Sequence, residues 1–334
     1  MTITDNIASL FASGSRKSLS ITKIQGDASS RQYFRVTAPG NTVIACYDPA
    51  FEERAKEEYA FLLMHALFSR NSIPVPEVIA VDEKKGLLLL EDCGDLLLKN
   101  LFGSPAAETI PDRYREIIRT LIRLQSICDD QKKIPFNISF DREKLMFEFD
   151  FFITHGLLDY FAPQMDPNLI GSLRHEFETI AAILVKPEHF VLNHRDFHSR
   201  NILIHQGKPV IIDFQDARMG LPQYDAVSLL RDSYVSLEPD LTEELKALHY
   251  HELRLGGITS MSFDEYLYYF DIMAFQRNIK AIGTFCYQTR VKKNRTFEHS
   301  IAPTLRYIPD YIDARSELKK AGKLLHAIIE ENRQ

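Results

Sequence analysis

The chain has 334 residues, with 40 Lys and Arg against 46 Asp and Glu, and a formal net charge of −6. A composition 45% hydrophobic and 26% charged excludes a disordered chain, and the acidic balance argues against nucleic-acid binding as the main task. No apolar run approaches the ~20 residues that span a bilayer, and residues 1–19 show no basic-then-apolar leader. A cytoplasmic protein of two domains or lobes is expected, with no membrane association. Cys46, Cys93, Cys128 and Cys286 form no C-x-x-C pair, which argues against a zinc or thioredoxin-like centre and predicts packed core thiols.

The first elements read as strands. Residues 20–24 alternate, 31–37 are rich in Tyr, Phe and Val, and 42–47 form a short apolar run, with Gly26 and Pro39-Gly40-Asn41 as turns. Three short strands without room for crossover helices are antiparallel. Residues 53–70 place Tyr59, Leu62, Leu63, Ala66 and Leu67 at helical spacing before Pro74 and Pro76. Strands at 77–81 and 87–90 flank a hairpin turn, giving the order β-β-β-α-β-β. Beyond Gly94 the pattern becomes helical. Tyr114, Ile117, Ile118, Leu121 and Leu124 share one face, and more helices are predicted at 141–161, 167–184, 222–235, 242–255 and 263–287. Short strands are predicted at 190–192, 202–205 and 209–212. The composition shift predicts a β-rich lobe over 1–92 and a helical lobe over 93–334.

Chemistry concentrates in His194-Arg195-Asp196-Phe197-His198-Ser199-Arg200-Asn201, followed by two short strands and Asp213-Phe214-Gln215. A hairpin turning near Gln206-Gly207 brings Asn201 and Asp213 side by side at its open end. Two hard oxygen donors there suit Mg²⁺, which is bound through a few side chains plus phosphate oxygens. Asp196, a separate carboxylate, suits acceptance of a proton from an attacking hydroxyl. Metal, positioned nucleophile and held phosphates are the parts of phosphoryl transfer. The spacing H-R-D-x-x-x-x-N, then D-F, matches the kinase catalytic set. The alternative is a polar turn whose Asp and Asn cap backbone groups; two linked motifs in the right order favour the chemistry.

Other segments fit this reading. Gly26-Asp27-Ala28-Ser29-Ser30-Arg31 lies between the first two strands, where a kinase-like fold covers the phosphates. Ser29 and Ser30 offer hydroxyl and backbone donors, and Arg31 or Arg35 offers charge; an ordinary hairpin turn with surface arginines is the other reading. Glu91 and Cys93, in Glu91-Asp92-Cys93-Gly94 where the lobes join, offer backbone groups to an adenine edge. The third strand, Val43-Ile44-Ala45-Cys46-Tyr47, lacks the phosphate-pairing lysine of protein kinases. Lys56 lies on the next segment, and Glu57 and Glu58 have no evident strand partner. Either a first-hairpin arginine replaces the lysine, or the protein is a weak or inactive kinase relative.

Together these segments, with Gln276-Arg277-Asn278-Ile279-Lys280-Ala281-Ile282-Gly283-Thr284-Phe285, resemble the aminoglycoside phosphotransferase-like branch of the protein-kinase-like fold. That branch includes choline, homoserine and sugar kinases, and the resemblance is greatest to anomeric kinases of N-acetylmuramate and N-acetylglucosamine. It spans about residues 20 to 310. It implies an α+β bilobal architecture, a small antiparallel N-lobe and a large helical C-lobe, and use of ATP and Mg²⁺. It also implies Asp196 as catalytic base and Asn201 and Asp213 as metal ligands. The missing strand lysine departs from the aminoglycoside kinase pattern and agrees with the sugar kinases.

His198, Arg200, Asp216, Arg218, Arg277 and Lys280 are the candidates for the acceptor. Residues 272–297 hold six basic and no acidic residues. A pocket for a polycation should be acidic, so this segment favours an anionic or neutral acceptor. Arg277 and Lys280 share a helix face, and an Arg grips a carboxylate through two parallel hydrogen bonds. A solvated basic face is the competing reading. Arg200 pairing with a nearby carboxylate, and His198 packing behind the base, are further alternatives. Tyr224-Asp225 reads as a helix cap or a stabilising pair, and Asp232 similarly. The expected acceptor is a small molecule, an N-acetyl amino sugar, with no nucleic acid, membrane or obligate protein partner. A kinase of aminoglycoside, choline or homoserine type and a non-catalytic nucleotide binder are the rivals. A protein kinase is disfavoured, because Gly220-Leu221-Pro222 closely follows Asp213 with no A-P-E ending between.

Overall fold

The computed structural model describes residues 2–11, 19–24, 31–52, 58–129, 133–161 and 164–330. Gly26, Ser29, Ser30, Lys56 and Glu57 lie outside the described residues. Helix α1 (Ile3–Ser9) starts with a capping box between Thr2 and Asp5. Strands β1 (Ser20–Ile24), β2 (Gln32–Ala38) and β3 (Asn41–Tyr47) follow, then α2 (Pro49–Glu52), α3 (Ala60–Arg70), β4 (Val78–Asp82) and β5 (Leu87–Glu91). The predicted start of the helix after β3 moves. Tyr59 is the N-cap of α3, and its hydroxyl donates to Asp48 at 2.6 Å.

Further on come α4 (Ile110–Gln125), α5 (Arg142–Phe151), a π-helical stretch (Phe152–Phe161) and α6 (Pro167–Leu184). After them stand β6 (Val191–Asn193), β7 (Ile202–His205), β8 (Lys208–Ile211) and β9 (Arg218–Gly220), the last without a sequence forecast. The chain continues through α7 (Gln223–Leu230), α8 (Pro239–Leu255), α9 (Phe263–Arg290), α10 (Ile301–Leu305), α11 (Ile308–Ala314) and α12 (Lys319–Glu330).

Two compact units result: Met1–Leu96 with Ile202–Gln215, and Leu97–Asn201 with Asp216–Gln334. In the first, an antiparallel sheet of order β1-β2-β3-β5-β4 buries Phe34, Val36, Val43, Ala45, Leu87 and Leu89 against Ile7 of α1. Strand alternation turns Tyr33 and Arg35 to the other face, opposite Cys46 and Ile44. A single cut at 92/93 leaves out the β7–β8 hairpin, which belongs to this unit. Ile204 N–H donates to Leu96 O at 2.7 Å and Ile211 N–H to Pro74 O at 2.7 Å. Phe214 then packs its ring, tilted, 4.9 Å from that of Phe61 and 5.6 Å from that of Phe68.

In the second unit, α9 runs through the helical core and buries Ile272, Phe275, Ile279 and Ile282. Gly283 lets it approach the π-helical stretch, because a Cβ there would lie 2.8 Å from Phe152 Cα. No helix among the described residues is long and apolar enough to cross a membrane.

Candidate active site

In the helical unit, β6 pairs with β9, Asn193 opposite Arg218, and residues 194–201 turn away from that pair. Two buried carboxylates shape the turn. Asp225 of α7 accepts the backbone N–H groups of His194 and of Arg195, the latter at 3.0 Å. Burial pushes its carboxyl up to about 7 against the pull of those donors. Asp232 accepts from Ser199 N–H at 2.8 Å and Tyr234 N–H at 2.9 Å. The turn also holds Arg195 at φ +86, a left-handed conformation that costs a non-glycine residue ~1–3 kcal/mol. The helix-cap reading of Asp225 does not hold: α7 has Pro222 as its N-cap, without a side-chain cap, and Asp225, inside the helix, holds the turn at 194–195 instead, while Asp232 holds it at Ser199.

Asp196 projects from this turn with its side chain 27% exposed. Its Oδ1 lies 3.2 Å from Arg277 Nη2 and 3.2 Å from Lys280 Nζ. Burial opposes ionisation, but Lys280, Arg277 and Arg195 outweigh it and hold the carboxyl well below the usual range. Burial and the neighbouring Arg277 push Lys280 down to about 8. Arg277 and Lys280 share a helix face as the sequence predicts, and both face Asp196. Arg277 also donates to Ser228 Oγ at 2.8 Å and to Arg195 O at 3.3 Å.

Asn201 Nδ2 donates to the main-chain oxygen of Asp196 at 3.0 Å, which leaves its Oδ1 as a hard donor. His198 is packed edge-on to Tyr234, ring centroids 5.2 Å apart, and burial lowers it to about 3. The guanidinium of Arg200 sits 4.7 Å from the centre of the Tyr234 ring and 5.2 Å from that of Phe297. Asp216 pairs with Arg195 at 3.2 Å, and Arg218 lies over Phe140 at 5.3 Å.

Sequence reasoning missed Lys144 and Glu148 of α5. Glu148 is 3% exposed, accepts from Gln276 Nε2 at 2.9 Å, and has Lys144 Nζ 3.8 Å from its other oxygen. The signal was a glutamate in register with Leu145, Phe149 and Phe152, on the buried face of the helix.

In the β-rich unit, Arg31 donates from Nε to Asp48 at 3.0 Å, and its Nη1 lies 3.9 Å from Asp213 Oδ1. Burial works against the ionised Asp48, but Tyr59, the Ala50 N–H and Arg31 keep its carboxyl below the usual range. Asp213 adopts φ +66 and accepts from Gln215 Nε2 at 2.9 Å. Arg35 is committed elsewhere. It contacts both oxygens of Asp92, at 2.7 and 3.0 Å, and both of Asp95, at 2.8 Å each. A surface pocket lies beside this clamp, lined by Arg35, Thr37, Thr42, Asp92, Gly94, Asp95 and His205. Glu91 N–H is taken by Glu77 O at 2.8 Å, whereas the Cys93 main chain makes no hydrogen bond among the described residues. The buried Cys93 thiol is pushed up to about 12 by burial, with Glu91 adding to the effect.

A profile of the phosphotransferase enzyme family matches residues 20–256. The chain belongs to this family. It is an ATP-dependent phosphotransferase, a kinase, with a protein-kinase-like fold. The chain is 28% identical over 272 residues to an N-acetylmuramate/N-acetylglucosamine kinase of Neisseria meningitidis serogroup B, covering 79% of this chain and 77% of that one. It is 26% identical over 308 residues to a kinase of the same name from Pseudomonas aeruginosa, covering 90% and 86%. Among solved structures, a choline kinase from Cryptosporidium parvum superposes with a TM-score of 0.66 at 11% identity, over 96% of this chain and 99% of that one. An ADP-bound aminoglycoside phosphotransferase superposes with a TM-score of 0.61 at 14% identity, over 91% and 96%. These likenesses show the fold.

The donor chemistry of this phosphotransferase fits Mg²⁺. Among the described residues, no group of three His, Cys, Asp and Glu forms a closed metal cage. Taken each in its own unit, Asn201 Oδ1 and the 47% exposed Asp213 carboxylate are hard oxygen donors of the kind that Mg²⁺ prefers.

Proposed function

We propose that this phosphotransferase transfers the γ-phosphoryl group of ATP to the anomeric hydroxyl of an N-acetyl amino sugar, N-acetylmuramate or N-acetylglucosamine. The observation that carries the reading is Asp196. It is a partly exposed carboxylate kept ionised by Arg277 and Lys280 in a loop fixed by Asp225 and Asp232. The names of the relatives supply the acceptor class.

In this mechanism Asp196 accepts a hydrogen bond from the sugar hydroxyl and orients its oxygen toward the γ-phosphorus. A carboxylate held so far below its usual range is a weak base, so positioning is its main contribution. The hydroxyl oxygen bonds to the γ-phosphorus as the bond to the bridging oxygen breaks; the proton passes to Asp196 and ADP leaves. Asn201 and Asp213 are the proposed holders of Mg²⁺, which when bound neutralises charge on the phosphate oxygens. Arg31 is the proposed phosphate-facing cation in place of the strand lysine, buttressed by Asp48. Ser29 and Ser30 remain candidates for the phosphates, and the Cys93 main chain for the base edge. Arg35 is better supported as a clamp on Asp92 and Asp95 than as a phosphate ligand.

The test is ADP release with N-acetylmuramate, N-acetylglucosamine, choline, homoserine and an aminoglycoside. Turnover on an amino sugar that is lost in Asp196→Asn is expected. Faster turnover on a polycation, or full activity in Asp196→Asn, would overturn the reading.

A further inference from the structure

Polar atoms buried without hydrogen-bond partners are few in folded proteins, and each calls for an explanation such as a missing ligand. The described residues contain twelve such side-chain atoms, and four of them lie in one cluster about Arg195: Glu148 Oε1, Arg195 Nε, Tyr224 Oη and Gln276 Oε1. They belong to one connected group. Gln276 donates to Glu148, Arg277 lies over the Tyr224 ring at 5.2 Å, and Arg277 reaches both Arg195 O and Asp196. The group runs from the fully buried Gln276 and Tyr224 to Asp216, whose side chain is 55% exposed.

Its charges do not balance. Lys144, Arg195, Arg218, Arg277 and Lys280 are cations; Glu148, Asp196 and Asp216 are the carboxylates among them. Asp216 takes Arg195, and Asp196 takes both Arg277 and Lys280. Glu148 answers Lys144 only at 3.8 Å, and Arg218 makes no ion pair among the described residues. Burial lowers both Lys144 and Arg218, and each is lowered further by Arg195. Burial pushes the Asp225 carboxyl up to about 7, so near neutral pH it supplies only part of a negative charge.

We propose that Lys144 and Arg218 hold a carboxylate carried by the acceptor sugar, while Glu148 accepts a hydrogen bond from one of its hydroxyl or amide N–H groups. This rests on the amino-sugar kinase reading and names what distinguishes the two sugars. N-acetylmuramate carries a lactyl carboxylate and N-acetylglucosamine does not. Arg218 offers a planar fork suited to that group, and Lys144 a point charge beside it. Glu148 Oε1 gains the donor that its burial otherwise denies it.

The test compares kcat/KM on the two sugars for the wild-type protein, Lys144→Gln, Arg218→Gln and Glu148→Gln. The first two substitutions should each lower the N-acetylmuramate value tenfold or more and leave the N-acetylglucosamine value within about twofold. Glu148→Gln should lower both values by similar factors. Equal losses on both sugars in Lys144→Gln and Arg218→Gln, or none, overturn the proposal. Should a variant fold poorly, the wild-type protein gives a second readout: added salt should depress the N-acetylmuramate value and spare the other. A salt response equal for both sugars overturns it too. Turnover of both sugars without charge-dependent discrimination overturns this proposal alone. Wild-type turnover of neither sinks the functional reading as well.

Discussion

Asp196 carries two cations on one oxygen, and its behaviour follows from that. Replacing it by Asn keeps the shape and removes both the charge and the proton acceptor, so kcat should fall ~10²–10⁴-fold with the nucleotide KM unchanged. Lys280 sets the alkaline side. Its ammonium is pushed from 10.5 down to about 8, so raising pH through that value discharges one of the two groups facing Asp196. An alkaline limb in kcat/KM near pH 8 is expected, moving upward in Lys280→Arg because a guanidinium keeps its proton. A limb that stays put in Lys280→Arg rules out this assignment. In the β-rich unit the proposed phosphate-facing cation is Arg31. Arg31→Ala should raise the KM for ATP about tenfold, since a charge-assisted bond is worth ~1.5–3 kcal/mol, and leave the acceptor KM alone. An unchanged ATP KM would place the phosphate-facing cation elsewhere.

Elements explain what sequence spacing could and could not reveal. The segment 194–201 and the hairpin after it were legible because they hold chemistry-bearing residues a fixed few positions apart, and β7 pairs with β8 as forecast, Ile202 opposite Ile211. Arg31 with Asp48, and Glu148 with Gln276, were not, because each pairing joins distant segments and either partner alone reads as an ordinary surface charge or amide. The hairpin's membership of the β-rich unit was hidden for the same reason, being decided by Phe214 meeting Phe61 and Phe68 across more than a hundred residues of chain. The segment Gln276 to Phe285 combines two tasks on α9. Arg277 and Lys280 face Asp196, Gln276 faces Glu148 of α5, and Gly283 permits the backbone approach to Phe152. Gly283→Ala inserts a methyl 2.8 Å from Phe152 Cα. It should cost ~1–3 kcal/mol in urea unfolding, despite the better helix propensity of Ala. A neutral or stabilising result would mean that α9 slides to make room.

At the scale of the molecule, pH couples the packing of the helical unit to its stability through His249. The imidazole joins three helices, with Tyr266 of α9 at 2.8 Å from Nδ1 and Gln125 of α4 at 2.9 Å from Nε2, while His249 itself lies on α8. The Gln125 oxygen can only accept, so Nε2 carries the proton and Nδ1 accepts from the Tyr266 hydroxyl. Burial lowers the ring from 6.5 to about 3. Below pH 6.5 the unfolded chain binds a proton there that the folded chain refuses. The contribution is therefore intact above 6.5 and drains away as pH falls toward 3, by up to ~1.4 kcal/mol per pH unit. His198, also lowered to about 3, acts in the same direction, so the wild-type slope holds more than one proton. His249→Gln removes the titration and keeps an amide able to donate and accept. Its unfolding free energy, measured between pH 7 and 4.5, should lose one proton's worth of slope relative to the wild type. An unaltered slope would show that His249 is protonated inside the fold, and the three-helix junction would then be held by a charged imidazole.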